Sequence, residues 1–237
     1  MSGAPAAGVE ARRRAAAHVL VEPDHLTDSG PIELTDEVEH HLRRVVRLPD
    51  GAEVSITDGA GNWVLARVQH DRNGLLLTPS THVDHEPRPD AVRLASAIPK
   101  GDRVDWLVQK ATELGADEVM LLHAQHSVVR WNEQRADKQL TRLRRIADEA
   151  LRQSRRVWRM EVSGPRDASG ILPDAVLAEP GGRSLAATDS FVAIGPEGGW
   201  TDDELALARE KVDLGENVLR TETAVVAAAV LAAAARR

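Results

Sequence analysis

Residues 190–204 read Ser-Phe-Val-Ala-Ile-Gly-Pro-Glu-Gly-Gly-Trp-Thr-Asp-Asp-Glu, and this stretch decides the class of fold. Residues 190–194 form a short, mostly apolar run that predicts a buried strand. A glycine-rich turn follows, and Thr201 with Glu204 then gives the Thr-x-x-Glu pattern that begins a helix. A strand that leads through such a turn into a helix is typical of parallel α/β proteins.

Strands and helices alternate from about residue 90 to the end of the chain. Apolar residues predict strands over 92–98, 118–122 and 190–194, and amphipathic helices over 102–114, 138–152 and about 202–212. The Ala/Val-rich run from Ala224 predicts a last helix, either in the core or at a subunit contact. This alternation predicts an α/β domain with a mostly parallel sheet over residues 90–237.

The first part of the chain shows short strands separated by turn residues. The predicted strands cover 18–21, 53–57, 63–69 and 74–78, with Pro-Asp-Gly and Asn-Gly turns among the breaks. One helix begins at Thr35-Asp36, and we expect Val38, Leu42 and Val45 to face the core. The pattern predicts a small barrel-type β-domain over residues 18–82. It follows a segment, 1–17, that we expect to be disordered, and it precedes a polar linker around 80–90.

Composition limits the functions that the chain can have. Its 237 residues carry 30 Lys and Arg against 37 Asp and Glu, a net charge of −7. The chain has no cysteine, which excludes disulfides, thiolate metal sites and cysteine nucleophiles. The apolar run 224–235 is shorter than the roughly 20 residues of a membrane span, so we expect a soluble, cytoplasmic protein with no membrane contact. One Phe and no Tyr disfavour RNA recognition by aromatic residues on a sheet.

The nine histidines do not form a metal-binding pattern. His40 and His41 are adjacent and point to different sides of the predicted helix, and the chain has no pair of His at ligand spacing with a supporting carboxylate. We therefore predict no metal.

The glycine-rich turn over residues 195–199, here called the glycine loop, lets a ligand approach the backbone, although a tight turn without a ligand fits the same residues. It lacks the Lys-Ser/Thr of a Walker A loop and the spacing of a dinucleotide fingerprint. Acidic side chains surround it: Glu197, Asp202, Asp203 and Glu204. Their charge disfavours the pyrophosphate of NAD or ATP and tolerates a neutral or cationic ligand.

Residues 214–224 are a second candidate, because Arg220, Thr221, Glu222 and Thr223 lie between two apolar runs. By spacing alone, this stretch is also explained as a loop in which a threonine caps the last helix.

Six stretches occur in an order that a known family shares: residues 40–48, 100–115 in part, 127–129, 149–154 in part, 194–199 and 218–224. On these stretches the chain resembles the small-subunit ribosomal RNA uracil-N3 methyltransferases of the SPOUT, or trefoil-knot, superfamily, from about residue 35 to the C-terminus. Two departures stand out. Ala124-Gln125-His126 replaces a usual Ser-Glu-Arg, and Arg155-Arg156 replaces a usual Gly-Arg.

The resemblance implies a PUA-like barrel followed by a knotted methyltransferase domain that works as a homodimer on 16S ribosomal RNA of the small subunit. It also implies S-adenosylmethionine as cofactor, bound by three loops that correspond to 178–180, 195–199 and 214–223. The cofactor-binding residues that it implies are Ala178, Glu179, Pro180, Gly195, Glu197, Gly198, Gly199, Leu214, Gly215, Val218, Leu219, Arg220 and Thr223. The sulfonium of this cofactor is a cation, in agreement with the acidic glycine loop.

Methylation of uracil N3 requires loss of the N3 proton, and the reacting edge of the base must be exposed. For this reaction we predict that Arg220 stabilises negative charge on the uracil oxygens. Glu222 or Glu197 is the predicted proton acceptor or orienting group. A structural salt bridge is the alternative role for Arg220.

Two arginine-rich faces are candidates for RNA contact. His40, Arg43, Arg44 and Arg47 have the spacing of one helical face, and residues 130–159 hold ten basic against four acidic residues. A solvated surface explains either face alone, but arginine grips phosphate in a bidentate manner. The predicted RNA-binding residues are Arg43, Arg44, Arg47, Lys100, Arg152, Gln153, Arg155 and Arg156.

Two other functions remain open at this stage. One is a ribosome-assembly protein that binds RNA without catalysis, and the other is a SPOUT methyltransferase that acts on another RNA position.

Overall fold

Two β-sheets carry the architecture in a computed structural model that describes residues 7–70, 72, 74–88 and 90–235. By their internal contacts, the residues up to Arg88 form one unit together with Leu151–Arg159, and the rest of the chain forms a second unit.

The first unit contains a five-stranded sheet. Its strands are β1 (His18–Leu20), β2 (Glu53–Thr57), β3 (Asn62–His70), β4 (Leu75–Pro79) and β5 (Asp84–His85). They lie in the order β1-β2-β3-β4, with β5 paired to β3, and β1 is parallel to β2 while the other pairs are antiparallel. Apolar side chains such as Val54, Ile56 and Leu77 fill the core. The four predicted strands are confirmed to within one residue at either end, whereas the two-residue β5 was not predicted.

An N-terminal helix, α1 (Ala7–Arg14), precedes the sheet. The prediction of disorder over 1–17 is therefore wrong for residues 7–14, whereas residues 1–6 lie outside the described part of the chain. Arg12 explains the order, because its side chain is buried, Nη2 lies 2.6 Å from Glu86 Oε2 and the guanidinium lies 5.1 Å from the centroid of the Trp63 ring. These partners are distant in the chain, so no local pattern indicated them.

The segment Leu151–Arg159 completes the first unit, which the prediction had limited to residues 18–82. The N–H of Gly61 donates to the carbonyl oxygen of Val157 at 2.9 Å, and the N–H of Arg159 donates to that of Gly59 at 2.8 Å. The buried ring of His18 also lies 2.9 Å, by Nε2, from the carbonyl oxygen of Arg156. Backbone hydrogen bonds therefore attach this late segment to the turn between β2 and β3.

The helix near residue 40 differs from the prediction. It begins as α2 (Asp36–His40), capped by Thr35, and continues as a π-helix over His41–Val46. A π-helix bonds residue i to i+5, so the helical phase shifts. Leu42 remains buried, but Val45 is 65% exposed, and its predicted place in the core is wrong.

The second unit is built on a six-stranded parallel sheet. Its elements in chain order are β6 (Arg93–Ala97), α3 (Arg103–Glu113), β7 (Glu118–His123), α4 (Glu133–Ser154, whose last turn belongs to the first unit), β8 (Glu161–Asp167), β9 (Val176–Ser184), β10 (Phe191–Ile194), α5 (Asp202–Leu207), β11 (Lys211–Asp213) and α6 (Thr221–Ala235). The strands lie in the order β11-β9-β10-β6-β7-β8, and every pair is parallel. The predicted α/β class with a parallel sheet is confirmed.

Both faces of this sheet are buried, as a parallel sheet requires. Leu94 and Val192 belong to a cluster on one face, and their neighbours Ala95 and Ala193 belong to a cluster on the other. Two details of the prediction fail. Strands β8 and β9 were not predicted, and the helix expected over about 202–212 ends at Leu207, so that β11 can pair with β9.

The last helix returns to the middle of the sheet. Strand β11 lies at the sheet edge, whereas α6 packs against α3, β6 and β10. Residues 214–220 must therefore cross the carboxyl ends of β9 and β10. The described helices include none long and apolar enough to cross a membrane.

Candidate active site and nucleic-acid interface

Three segments of the second unit meet at a cleft of about 260 Å³, beside the carboxyl ends of β10 and β11 and the middle of β9. Ten of the thirteen predicted cofactor residues line it: Ala178, Glu179, Pro180, Gly195, Glu197, Gly199, Leu214, Gly215, Val218 and Leu219. Gly198, Arg220 and Thr223 do not line it, and all three are exposed. Cofactor binding by these residues stays a prediction, but the structure brings most of them together.

The sequence analysis missed seven lining residues: Ile194, Pro196, Trp200, Asp213, Asn217, Thr221 and Ala224. All of them lie within or next to the two stretches that were singled out. The segment 178–180 is also not a loop, because it belongs to β9, which leaves β10 after Ala178 and then pairs with β11.

The glycine loop is shaped by a close contact with Trp200. A Cβ atom on Gly195 would lie 2.9 Å from the indole of Trp200, so the close approach requires glycine. Gly199 has a φ of 71°, in the left-handed region that glycine favours. The predicted capping box of α5 is confirmed, because the Glu204 N–H donates to Thr201 Oγ1 at 3.3 Å and the Thr201 N–H donates to Glu204 Oε2 at 3.0 Å.

Asp213 connects two of the cleft segments. One carboxylate oxygen accepts the N–H of Gly181 and the other accepts the N–H of Gly215, each at 2.9 Å. The two hydrogen bonds, with that of Gly215 the larger cause, hold the pKa of Asp213 below its usual range. This aspartate therefore stays ionised beside the cleft.

The charged side chains that line the cleft are all acidic. It contains the carboxylates of Glu179, Glu197 and Asp213, and no Lys, Arg or His is among the described residues that line it. Such an environment stabilises a cationic ligand and repels a phosphate.

The predicted catalytic residues lie in different environments. Arg220 is exposed, and within the described residues it makes no ion pair, so the alternative of a structural salt bridge finds no partner there. Glu222 is buried at the start of α6, where Oε1 lies 3.7 Å from Arg103 Nε. Nη1 of the same arginine lies 3.6 Å from Glu197 Oε1. Arg103 was not predicted as a site residue, although it lies in the stretch 100–115 that carries part of the family resemblance.

His126, in the turn that follows β7, contacts the glycine loop. Its Nδ1 lies 3.1 Å from the carbonyl oxygen of Gly198 and 3.2 Å from that of Gly199, a geometry in which the ring donates. The family's usual arginine is thus replaced here by a side chain that still reaches the loop.

The predicted RNA-binding residues Arg43, Arg44 and Arg47 lie on the surface of the first unit, but not on one regular helical face. Arg43 and Arg44 belong to the π-helix, whereas Arg47 follows it with a φ of 55°. All three are exposed, and Arg43 Nη1 lies 3.8 Å from Glu39. The expected i, i+3, i+4, i+7 face is therefore broken at its end by the same phase shift that exposes Val45.

The turn after α4 is unusual because Arg155 has a φ of 62°, where the family usually has glycine. Its Nη1 is buried without a hydrogen-bond partner in the described chain, and burial lowers its pKa. Gln153 is exposed, while Arg152 and Arg156 are half-buried. Lys100 is exposed and belongs to the second unit, ahead of α3.

Several arginines of the basic stretch 130–159 have structural roles. Arg130 Nη2 donates to the carbonyl oxygen of Ala124 at 2.7 Å, Arg144 Nε donates to that of Val162 at 3.1 Å, and Arg142 pairs with Asp105. The local excess of positive charge is therefore only partly available to a ligand. In the described ranges, no cluster of His, Asp and Glu is arranged to hold a metal ion.

A parallel sheet with an acidic, glycine-lined cleft at the carboxyl ends of its strands is the architecture of a cofactor-dependent α/β enzyme. Comparison with known families makes the class specific. A family model described as an RNA methyltransferase domain matches residues 86–233, and one described as an RNA methyltransferase PUA domain matches residues 34–80. The chain is thus an RNA methyltransferase by class.

Individual relatives agree. The ribosomal RNA small subunit methyltransferase E of Aquifex aeolicus is 34% identical over 205 residues, which cover 80% of this chain and 88% of the relative. That of Mycobacterium bovis is 30% identical over 233 residues, 89% of both chains. The crystal structure of the Neisseria gonorrhoeae enzyme of this name, bound to S-adenosyl methionine, superposes with a TM-score of 0.78 at 27% identity and covers 90% of this chain and 94% of its own. The chain belongs to the ribosomal RNA small subunit methyltransferase E family.

Proposed function

We propose that this protein transfers a methyl group from S-adenosylmethionine to N3 of a uridine in the 16S RNA of the small ribosomal subunit. The acidic cleft carries the proposal, because three carboxylates line it and the part of the chain that the structure describes adds no basic residue to the lining. A sulfonium cation is stabilised in such surroundings. The relative from Neisseria gonorrhoeae, crystallised with S-adenosyl methionine, supports the same cofactor.

The residues present fit this cofactor. The missing side chain of Gly195 leaves the backbone of the glycine loop open to a ligand, and Leu214, Val218 and Leu219 offer apolar contacts for an adenosine group. The carboxylates of Glu179 and Glu197 complement a positive charge. When bound, S-adenosylmethionine supplies the methyl group on its sulfonium sulfur.

Two residues of the protein act on the uracil, one by stabilising negative charge and one by accepting a proton. The N3–H proton must leave, and the resulting negative charge spreads over the uracil oxygens. Arg220 is exposed at the end of the cleft segment 214–220, and its guanidinium stabilises that charge. Glu222 accepts the proton, since its Oε2 has no hydrogen-bond partner in the described chain.

The RNA is held through phosphate contacts by exposed arginines of the first unit, Arg43, Arg44 and Arg47, and by the turn around Arg155. Guanidinium groups make bidentate contacts with phosphate, and each contact releases counterions. A salt-dependent affinity for RNA is the consequence, despite the negative net charge of the chain.

We also propose that the protein acts as a cytoplasmic homodimer. Trp106 on α3 and Val230 and Leu231 on α6 are apolar and between 38% and 45% exposed, on two helices that pack against each other. An apolar surface of this kind supports a subunit contact. Sedimentation of the wild type and of Leu231→Glu tests it, with a dimer expected for the first and a monomer for the second.

Mass spectrometry of the RNA product tests the function. Small subunits and naked 16S RNA from a strain that lacks the gene are incubated with the protein and S-adenosylmethionine, and the digested RNA is analysed. We expect 3-methyluridine at a single position. Methylation of a ribose or of another base would overturn the proposed position. Calorimetry without any binding of S-adenosylmethionine would instead favour an RNA-binding assembly protein.

A further inference from the structure

Arg103, in the first turn of α3, lies between two carboxylates. Glu197 lines the cleft, whereas Glu222 is buried next to the lining residue Thr221. Nη1 of Arg103 is 3.6 Å from Oε1 of Glu197, on the glycine loop, and Nε is 3.7 Å from Oε1 of Glu222, in the first turn of α6. One guanidinium thereby connects three chain segments at the site.

Glu222 is the more constrained of the two carboxylates. The residue is 8% exposed, whereas Glu197 is exposed to solvent. Arg103 faces Oε1 of Glu222, and Oε2 is buried without a hydrogen-bond partner among the described residues. A buried carboxylate oxygen that accepts no hydrogen bond is unfavourable and therefore indicates a partner that arrives with the substrate.

We propose that Arg103 is a positioning residue, which holds Oε1 of Glu222 so that Oε2 stays free to accept the proton of uracil N3. The inference rests on the proposed function and deepens it. The N3–H bond breaks, and its electron pair stays on N3 and forms the bond to the transferred methyl carbon. The proton moves to Oε2 of Glu222, and the electron pair of the broken methyl–sulfur bond remains on the donor sulfur.

The planar guanidinium is suited to this role because two of its nitrogens face two separate carboxylates at the same time. A lysine ammonium would be a single point charge on a flexible stem and could not hold both in fixed directions. Arg103 also reduces the repulsion between Glu197 and Glu222, two acidic groups that face the same side chain.

Kinetics of Arg103→Ala and Arg103→Lys test the role. We expect kcat of Arg103→Ala to fall about 100-fold, because a misplaced general base loses rate acceleration of this size. KM for the RNA should change less than threefold. Arg103→Lys keeps the positive charge but loses the planar guanidinium with its two separate donor nitrogens, and about a tenth of the wild-type kcat should remain. Calorimetric Kd values for S-adenosylmethionine should stay within about threefold of wild type in both variants, because the change acts on the proton acceptor.

A double-mutant cycle separates positioning from a general structural effect. If Arg103 acts through Glu222, then adding Arg103→Ala to Glu222→Gln lowers kcat by less than about threefold, because the acceptor is already lost. If the two losses in kcat multiply, the proposal is wrong. A loss that appears in the S-adenosylmethionine Kd instead of kcat would also overturn it, and would assign Arg103 to cofactor binding.

Controls address folding. Asp105→Asn removes a carboxylate of α3 that pairs with Arg142 on α4, and it should leave kcat unchanged. Thermal unfolding of each variant shows whether it is folded at the assay temperature. If Arg103→Ala is not folded, the kinetics of Arg103→Lys still test the proposal. Wild-type protein without methylation of uracil N3 would contradict the proposed function, whereas an active wild type with independent effects of Arg103 and Glu222 contradicts only this inference.

Discussion

The hydroxyl group of Thr221 donates a hydrogen bond to the backbone carbonyl oxygen of Gly195 at a distance of 2.9 Å. This bond joins the first turn of α6 to the glycine loop, which is distant in the chain, across the cleft that both segments line. Together with Asp213, which connects Gly181 to Gly215, it fixes the three cleft segments relative to one another. The site is therefore preorganised by side chain to backbone contacts.

Thr221→Val keeps the shape of the side chain and removes this bond. We expect the free energy of unfolding to fall by about 1–2 kcal/mol, because the Gly195 carbonyl loses its donor. The Kd for S-adenosylmethionine should rise about tenfold, as measured by calorimetry. The matched control is Thr141→Val, since the hydroxyl of the exposed Thr141 donates within α4, to the carbonyl oxygen of Asp137. Equal effects of the two variants on the Kd would contradict the role of Thr221.

Gly195→Ala places a methyl group 2.9 Å from the indole of Trp200. The loop or the indole must shift, so we expect a loss of about 1–3 kcal/mol in the free energy of unfolding and at least tenfold weaker binding of S-adenosylmethionine. Gly170→Ala is the control, because a Cβ there meets no atom within 4 Å. Normal cofactor affinity in Gly195→Ala would show that the glycine loop does not border the cofactor.

Arg155→Gly should stabilise the protein and weaken its function at the same time. Relief of the left-handed backbone raises the free energy of unfolding by about 1 kcal/mol. Loss of a phosphate contact lowers the affinity for RNA and reduces the slope of log K against log salt by about 0.7–0.9. Arg155→Lys keeps the charge and should leave the salt slope unchanged. If Arg155→Gly is more stable but keeps the wild-type affinity for RNA, Arg155 does not contact a phosphate.

Replacement of Arg43, Arg44 and Arg47 by alanine together should weaken RNA binding at low salt and flatten its salt dependence. If each contacts one phosphate, the slope falls by roughly 2–3. Filter binding over a range of salt concentrations measures it. An unchanged slope would refute the assignment. Arg209→Ala removes one positive charge, against three in the triple variant, from an exposed site of the second unit and should leave the slope unchanged.

His18 makes the stability depend on pH. Burial is the main cause that lowers its pKa to about 4, so the folded protein leaves the ring neutral where the unfolded chain protonates it near pH 6.5. The unfolded state then binds the extra proton, and the free energy of unfolding falls as pH decreases from 6.5 to 4, by up to about 3 kcal/mol. Urea titrations at several pH values should show a shallower decline in His18→Gln. Parallel curves for the two proteins would exclude His18 as the source.

Local signals were sufficient for the parts of the fold that depend on neighbouring residues. The capping box of Thr201 and Glu204, the strand at 53–57 and the alternation that defines the parallel sheet all rest on patterns of a few residues. The glycine loop and residues 214–224 likewise indicated the cleft. These features were predictable because propensity, spacing and burial favour the same structure.

Features that depend on distant partners were not predictable. The order of α1 comes from the contacts of Arg12 with Glu86 and Trp63, and the ion pairs of Arg103 arise only when α3, the glycine loop and α6 meet. The spacing of apolar residues indicated a regular α-helix and gave no sign of the π-helix over His41–Val46. For this reason Val45 was wrongly predicted to lie in the core. In each case, tertiary contacts override the local preference.

The first unit is discontinuous in sequence, since Leu151–Arg159 supplies backbone partners to Gly59 and Gly61. A ribosome that is synthesising this chain must therefore deliver most of the polypeptide before the turn between β2 and β3 can form these hydrogen bonds, and excision after Arg88 would leave the backbone groups of that turn without these partners. Expression of the first unit alone therefore requires that Leu151–Arg159 be joined to the residues up to Arg88.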